Sequence, residues 1–291
     1  MPFLFDRRSF LKGAVAGIAA PILARAAFAE PKSEVHWALL SDVHIAADAG
    51  DEFRGFHPHE NLKKVLSEVK AQPFDSMLIA GDLARREGMP ADYEALTGLL
   101  QPAGTIPLAI ILGNHDDRKN CRSAFASVEG EVQPVEKKFV LAFDAGPMQV
   151  ILLDSLLATN VVPGQLGNSQ RDWLTNYLKS TASKPAIVVV HHDPDPNDDN
   201  GLVDAERFLK IVTSAKNVKA VFYGHTHAWH YEKQDGVHLV NLPAVGYNFK
   251  DSEPVGWTEA HFTPTSAKLK LHVIGGDLTH REQVLDLPWR S

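Results

Sequence analysis

IILGNHDDR, residues 110–118, runs three apolar side chains straight into a glycine, an amide, an imidazole and two carboxylates. The apolar half reads as a buried strand. Polar groups at that depth need partners, which are either ordinary hydrogen bonds or metal ions. The same transition recurs along the chain. VHWALLSDVH (35–44) ends in Asp42-Val43-His44, SMLIAGD (76–82) in Gly81-Asp82, PAIVVVHHD (185–193) in His191-His192, and VKAVFYGHTH (218–227) in Gly224-His225-Thr226-His227. In open α/β sheets ligands gather beyond the carboxyl ends of the strands. Five such ends would bring carboxylates, an amide and imidazoles to one place. Any one of these fragments is common by chance, and a lone histidine is more often structural. Their order and placement together point to a shared metal site.

Between these strands lie helical patterns. HENLKKVLSEVKA (59–71) spaces Leu62, Val65, Leu66 and Val69 on one face, and ADYEALTGLLQ (91–101), SQRDWLTNYLKST (169–181) and VDAERFLKIVTSA (203–215) also read as helices. FVLAFDAGPMQVILLDS (139–155) predicts a hairpin turning at Ala145-Gly146-Pro147. The last part of the chain is mostly β: HYEKQ, VHLVNLP, TEAHFT and KLKLHVIGG. Alternation followed by strands gives an α/β class, a sheet flanked by helices, with the late strands expected to form a second sheet packed on the first. DPDPNDDN (193–200) is the most loop-like stretch and is expected to border the site.

Residues 1–29 are set aside as a targeting segment. MPFLFDRRSFLKG, the mild apolar run GAVAGIAAPILA, and Arg25 before Ala27-Phe28-Ala29 resemble a bacterial twin-arginine signal, with cleavage expected after Ala29. The expected domain is then 30–291, exported to the periplasm or beyond by the twin-arginine machinery and without a stable membrane anchor. The whole chain carries a formal charge of −7. Removing Arg7, Arg8, Lys12 and Arg25 with Asp6 makes the remainder more acidic, and no basic block suits a nucleic-acid groove. The single cysteine, Cys121, excludes an intrachain disulfide and argues against thiolate zinc.

The ordered series D-x-H, G-D, G-N-H-D, H and G-H-x-H, over residues 42–227, resembles the calcineurin-like metallophosphoesterase superfamily. Size and the His191-His192-Asp193-Pro194 segment look most like its class III cyclic nucleotide phosphodiesterase and glycerophosphodiesterase group. The resemblance implies two packed mixed sheets flanked by helices, a four-layer α/β/β/α sandwich. It also implies two metals: Asp42, His44 and His227 on one, Asn114, His191 and His225 on the other, Asp82 bridging. His115 would face the substrate and either protonate the leaving oxygen or stabilise charge on the phosphate, with Asp116 as its orienting partner or a surface acid. A metal-bridging hydroxide would attack phosphorus in line.

Imidazole and hard oxygen donors suit divalent or mixed-valence iron, manganese or zinc, with nickel also compatible. The expected reaction is hydrolysis of a small phosphate ester, most of all a phosphodiester. The alternatives are a phosphomonoesterase and a metal-binding homologue without turnover. Leu83-Ala84-Arg85 after Gly81-Asp82 lacks the tyrosine of the purple phosphatases, and too few residues follow His227 for the second domain of the larger nucleotidases.

Several polar residues are left with two readings. His192 faces either the substrate or the sheet. His57 and His59 either line the pocket or, as expected, form a surface loop and helix cap, and His230 reads as a turn residue. Arg118 and Lys119 are a solvated helix start or phosphate ligands. Cys121, Trp173 and Trp229 read as packing residues.

Overall fold

A computed structural model describes residues 32–291; the segment read as a signal lies outside the described residues. The chain order is β1 (Val35–Leu40), α1 (Pro58–Lys70), β2 (Ser76–Ala80), α2 (Pro90–Leu100), β3 (Leu108–Ile111), α3 (Arg118–Ala124), β4 (Glu131–Val132), β5 (Leu141–Asp144) and β6 (Gln149–Leu152). It continues with α4 (Asn168–Ser180), β7 (Ala186–Val189), α5 (Ala205–Ser214), β8 (Val218–Tyr223), β9 (His230–Gln234), β10 (Val237–Asn241), β11 (Pro254–Phe262), β12 (Ser266–Gly276) and β13 (Val284–Pro288).

Two mixed sheets result, ordered β13-β12-β11-β1-β2-β3 and β4-β5-β6-β7-β8-β10-β9. The late strands therefore do not form the separate second sheet that the sequence led us to expect. β9 and β10 extend the second sheet, while β11–β13 return to the first, β11 pairing antiparallel to β1 from Val35↔Phe262 to Leu39↔Thr258. Hydrophobic pattern marks a strand, but strand order is a long-range property that no local window contains.

Side-chain alternation builds the layers. In the second sheet, Val150, Leu152, Ile187, Val189, Ala220 and Phe222 join the core shared by the two sheets. Ile151, Leu153, Val188, Val190 and Val221 face Leu174 and Leu178 of α4 and Phe208 and Val212 of α5. This period of two is what a strand covered on both faces requires. Trp37 stacks on Phe143 at 5.9 Å, and Phe222 meets Phe262 edge-on at 5.9 Å, so aromatic pairs join the sheets. On the other side, Leu62, Val65, Leu66 and Val69 of α1 are buried, as their spacing predicts.

Each strand stops at the end of its apolar run or one residue short of it. β1 ends at Leu40, β2 at Ala80, β3 at Ile111, β7 at Val189 and β8 at Tyr223. The polar residues beyond them leave extended geometry. Asp42, His44, Asp82, His225 and His227 all adopt left-handed φ between 48° and 70°. Non-glycine residues rarely sit there, and when they do the surroundings over-determine them, often at functional sites.

Candidate metal centre

The loops after β1, β2, β3, β7 and β8 converge. Asp42, His44, Asp82 and His227 form one buried group with mutually close ligand atoms, and Asp82, His191 and His225 form a second. His44 Nε2 lies 3.5 Å from Asp82 Oδ2, and His191 Nε2 lies 3.5 Å from Asp82 Oδ1. Each oxygen of one carboxylate thus faces a different cluster. His227 Nε2 is 3.3 Å from Asp42 Oδ1. Asn114, also buried, brings its Oδ1 to 3.0 Å from His225 Nδ1 and so adds an oxygen to the second cluster.

Backbone carbonyls decide which ring nitrogen faces inward. His44 Nδ1 lies 3.3 Å from Arg85 O, His191 Nδ1 2.8 Å from Ala80 O, and His227 Nδ1 2.6 Å from Tyr247 O. A carbonyl only accepts, so Nδ1 carries the proton and Nε2 presents its lone pair to the centre. His225 is reversed: its Nε2 donates to Asn200 O at 2.9 Å and its Nδ1 faces inward. Metal-bound imidazoles are oriented this way.

The arrangement makes little sense as hydrogen bonds alone. His44 and His227 Nε2 face each other at 3.0 Å, with both Nδ1 protons committed to carbonyls. His191 Nε2 is buried with no hydrogen-bond partner among the described residues. Burial alone would push His191 down, but the carboxylates of Asp82 and Asp42 raise it to about 9, so without a cation the site takes up a proton instead. Burial pushes His44 down to about 3 and His225 to about 4, leaving both neutral and able to ligate. Burial opposes the charge on Asp42, yet His227 and His191 bring it to about 2. Asp82 is likewise held well below the carboxylate range, against burial, by His191 and His44. Two carboxylates, four inward-facing imidazole nitrogens and an amide oxygen are a donor set that fits a pair of divalent transition ions.

Glycines permit the close approach. A Cβ on Gly113 would collide with the Asp82 carboxylate and backbone N, and one on Gly224 with Ser41 Oγ and Asp42 Oδ2. Gly113 is needed for this contact rather than for a left-handed turn. Gly113→Ala is expected to displace Asp82, lower metal content and cut the rate by about 10²-fold or more, measured by elemental analysis and steady-state kinetics on the same preparation.

The other residues singled out in the sequence fall as follows. His115 is half-buried and opens on a cavity of about 380 Å³ lined also by Asp82, Asn114, His225, His227 and Phe249. Its Nδ1 donates to Arg86 O at 2.9 Å, which leaves Nε2 free. Its backbone N donates to Asp82 Oδ1 at 2.9 Å.

Asp116 is neither the partner of His115 nor a surface acid. It is fully buried and accepts from Leu83 N, Ala84 N, Gly113 N and the Tyr93 hydroxyl, tying the second and third loops together. Placing it beside His115 in sequence said nothing of direction, since successive side chains diverge. Arg118 pairs with buried Asp154 and does not reach the cavity.

His192 is buried, with Nδ1 2.7 Å from Ser155 Oγ and its ring 4.7 Å from that of His225; it lies beyond the end of β7 and is not among the cavity residues, so it neither lines the cavity nor continues the strand. His57 precedes α1 as its N-cap. His59 is buried, with Nε2 2.7 Å from Ala46 O, and His230 starts β9 rather than a turn. Asp198 and Asn200 line the cavity, so the DPDPNDDN loop does border it. Phe249, Val162 and Tyr247 gave no sequence signal: they lie outside the strand-end pattern. Phe249 is half exposed and stacks on His227 at 4.1 Å.

Comparison with known proteins agrees with this geometry. The chain is similar to a 3',5'-cyclic adenosine monophosphate phosphodiesterase of Pseudomonas aeruginosa, 28% identical over 80% of this chain and 84% of that protein. It is similar to a probable cyclic nucleotide phosphodiesterase of Synechococcus, 26% identical over 84% and 94%. Among solved structures, a dimetal phosphatase from Danio rerio superposes with a TM-score of 0.70 at 15% identity, covering 88% of this chain and 99% of that one, a likeness of fold alone. The sequence profile of the calcineurin-like phosphoesterases matches residues 36–229, which hold every ligand loop described above, and the chain belongs to that family.

Proposed function

We propose that this chain hydrolyses phosphodiesters and that cyclic nucleotides are its substrate class. The observation that carries the choice of diester is the cavity wall. Beside the metal ligands it is built from His115, Val162, Asp198, Asn200, Thr226 and Phe249, with no lysine or arginine among the described residues. A monoester dianion would find no side-chain cation for its second charge, while a diester carries one charge and asks for none. The relatives named as cyclic nucleotide phosphodiesterases support the nucleotide part.

Asp42, His44 and His227 would hold one divalent ion and Asn114, His191 and His225 the other, with Asp82 shared; such a pair supplies Lewis acidity toward phosphoryl oxygens and makes water nucleophilic at neutral pH. Iron, manganese and zinc all suit these donors. The residues of the chain do the rest. Arg86 O fixes the His115 tautomer, so that Nε2 can hold a proton for the departing oxygen. Phe249, braced on His227, offers an exposed aromatic face on which a base can stack, with Val162 as an apolar neighbour. Asn200 O anchors His225 from the far side of the cavity. The same reading has the chain exported by a twin-arginine route as a small-molecule hydrolase, supported by the RRSFLK run and Ala27-Phe28-Ala29.

The test compares matched aryl mono- and diesters and 3',5'-cyclic nucleotides on metal-reconstituted protein. The expected kcat/KM favours diesters by on the order of tenfold or more, about 1.4 kcal/mol in transition-state binding. Preference for the monoester would assign a phosphomonoesterase instead, and absence of turnover on either would assign a metal-binding homologue.

A further inference from the structure

A second set of metal-ligating side chains lies at the other end of β1. The dinuclear centre sits beyond its C-terminal end, whereas His36 is near its start, paired in register with His261 of β11. Glu259 shares the outward face of β11 with His261, two residues away. His272 of β12, whose register partner is Trp257, reaches the same face. Trp37 and Phe262 alternate inward to the core between the sheets.

All three imidazoles aim at Glu259. His36 Nε2 is 2.9 Å and His261 Nε2 3.2 Å from Oε1, while His272 Nε2 is 2.8 Å from Oε2. One carboxylate oxygen therefore has two imidazole nitrogens at its edge. A tetrahedral zinc with bonds of 2.0–2.1 Å places neighbouring ligand atoms about 3.3 Å apart, close to these separations. Ligand atoms of His36, Glu259 and His261 all lie within 4.8 Å of one another.

The electrostatics suit a cation. Burial and the neighbouring His261 push His36 below its ordinary value, which keeps its ring neutral. Burial would raise Glu259, but hydrogen bonds from His272, His36 and His261 hold it below the usual range, so it stays ionised. The nearby cations do not neutralise it: Lys270 pairs with Glu282 and Lys268 with Asp286. His261 is exposed, and its ring stacks on His36 at 3.9 Å and 13°. An ion can enter from solvent, and both Nε2 atoms can close on it after a modest tilt of that outer ring.

We propose that His36, Glu259 and His261 bind a zinc-type transition ion, in a mononuclear site separate from the dinuclear centre, with His272 holding the second oxygen of Glu259. Three protein ligands on adjacent strands would staple the first strand of the domain to β11. Mixed imidazole and carboxylate donors favour zinc, copper or nickel over calcium or magnesium.

The test reconstitutes full-length protein with zinc alone, removes loose metal by gel filtration and counts zinc per chain. Wild type is expected to retain three ions, and the His36→Gln/His261→Gln double variant two, with an unchanged hydrolysis rate. Glu259→Gln, close in shape to the original, is expected to lose the same ion and serves if the double variant does not fold. Zinc-edge anomalous diffraction should place the third peak between His36, Glu259 and His261. A wild type that holds only two ions, or variants that hold as many as wild type, would show that the three histidines merely hydrogen-bond Glu259.

Discussion

Asp82→Asn is expected to cost this enzyme at least one of its two ions and nearly all of its turnover. Among the described residues Asp82 is the one that belongs to both clusters: Oδ2 is 3.5 Å from His44 Nε2 and Oδ1 is 3.5 Å from His191 Nε2. An amide keeps the volume but gives up the negative charge and turns one of the two oxygens into an NH₂ donor. That donor would point at an imidazole lone pair where an ion should be. The charge left to face +4 from two ions falls from two carboxylates to Asp42 alone. Losing a ligand while unpairing its neighbours exceeds the 10–100-fold cost typical of outer residues. The rate is expected to fall by about 10³-fold or more. Elemental analysis and steady-state rates on the same preparation would check both parts. The fold should survive, because Asp82 lies in a loop beyond β2 and its backbone bonds from Asp42 and His44 to residues 81 and 82 are untouched.

His115→Ala is expected to separate chemistry from metal binding. The side chain faces the cavity without joining either ligand cluster, and its Nδ1 is committed to Arg86 O. The variant should keep both ions and lose about 10²–10⁴ in kcat, the usual worth of a positioned proton donor. The leaving group distinguishes proton donation from mere positioning. With a nitrophenolate, which departs without a proton, the loss should shrink; with an alkoxide leaving group it should reach the top of the range. An equal loss on both would mean that His115 stabilises charge on the phosphoryl group instead. Its backbone N, which donates to Asp82 Oδ1, is retained in the variant.

The convergence of the candidate ligands was legible because each follows a buried apolar strand within a few residues, and β-strand hydrophobicity is a local signal. Geometry was less so. The left-handed φ at Asp42, His44, Asp82, His225 and His227 turns the chain just past the strands, and no sequence window distinguishes this from a strand continuing into polar residues. The membership of β11–β13 in the first sheet depends on pairing across more than two hundred residues, which hydrophobic patterning does not encode. Asp116 looked like a partner for its neighbour, but its burial directs it to three backbone N–H groups and Tyr93. Phe249 and Asn200 were missed as individual residues because they sit in loops, where side-chain direction follows no period. The His36–Glu259–His261 group was hidden for the same reason as the sheet order: its members meet only through register.

The most direct measurement is anomalous diffraction from crystals of manganese-loaded protein. Two peaks about 3.5–4 Å apart are expected, each within ligand distance of a different oxygen of Asp82, one beside His44 and His227 and the other beside His191, His225 and Asn114. A single peak in that cavity, or two with the Asp82 carboxylate turned away from either, would contradict the shared-carboxylate centre.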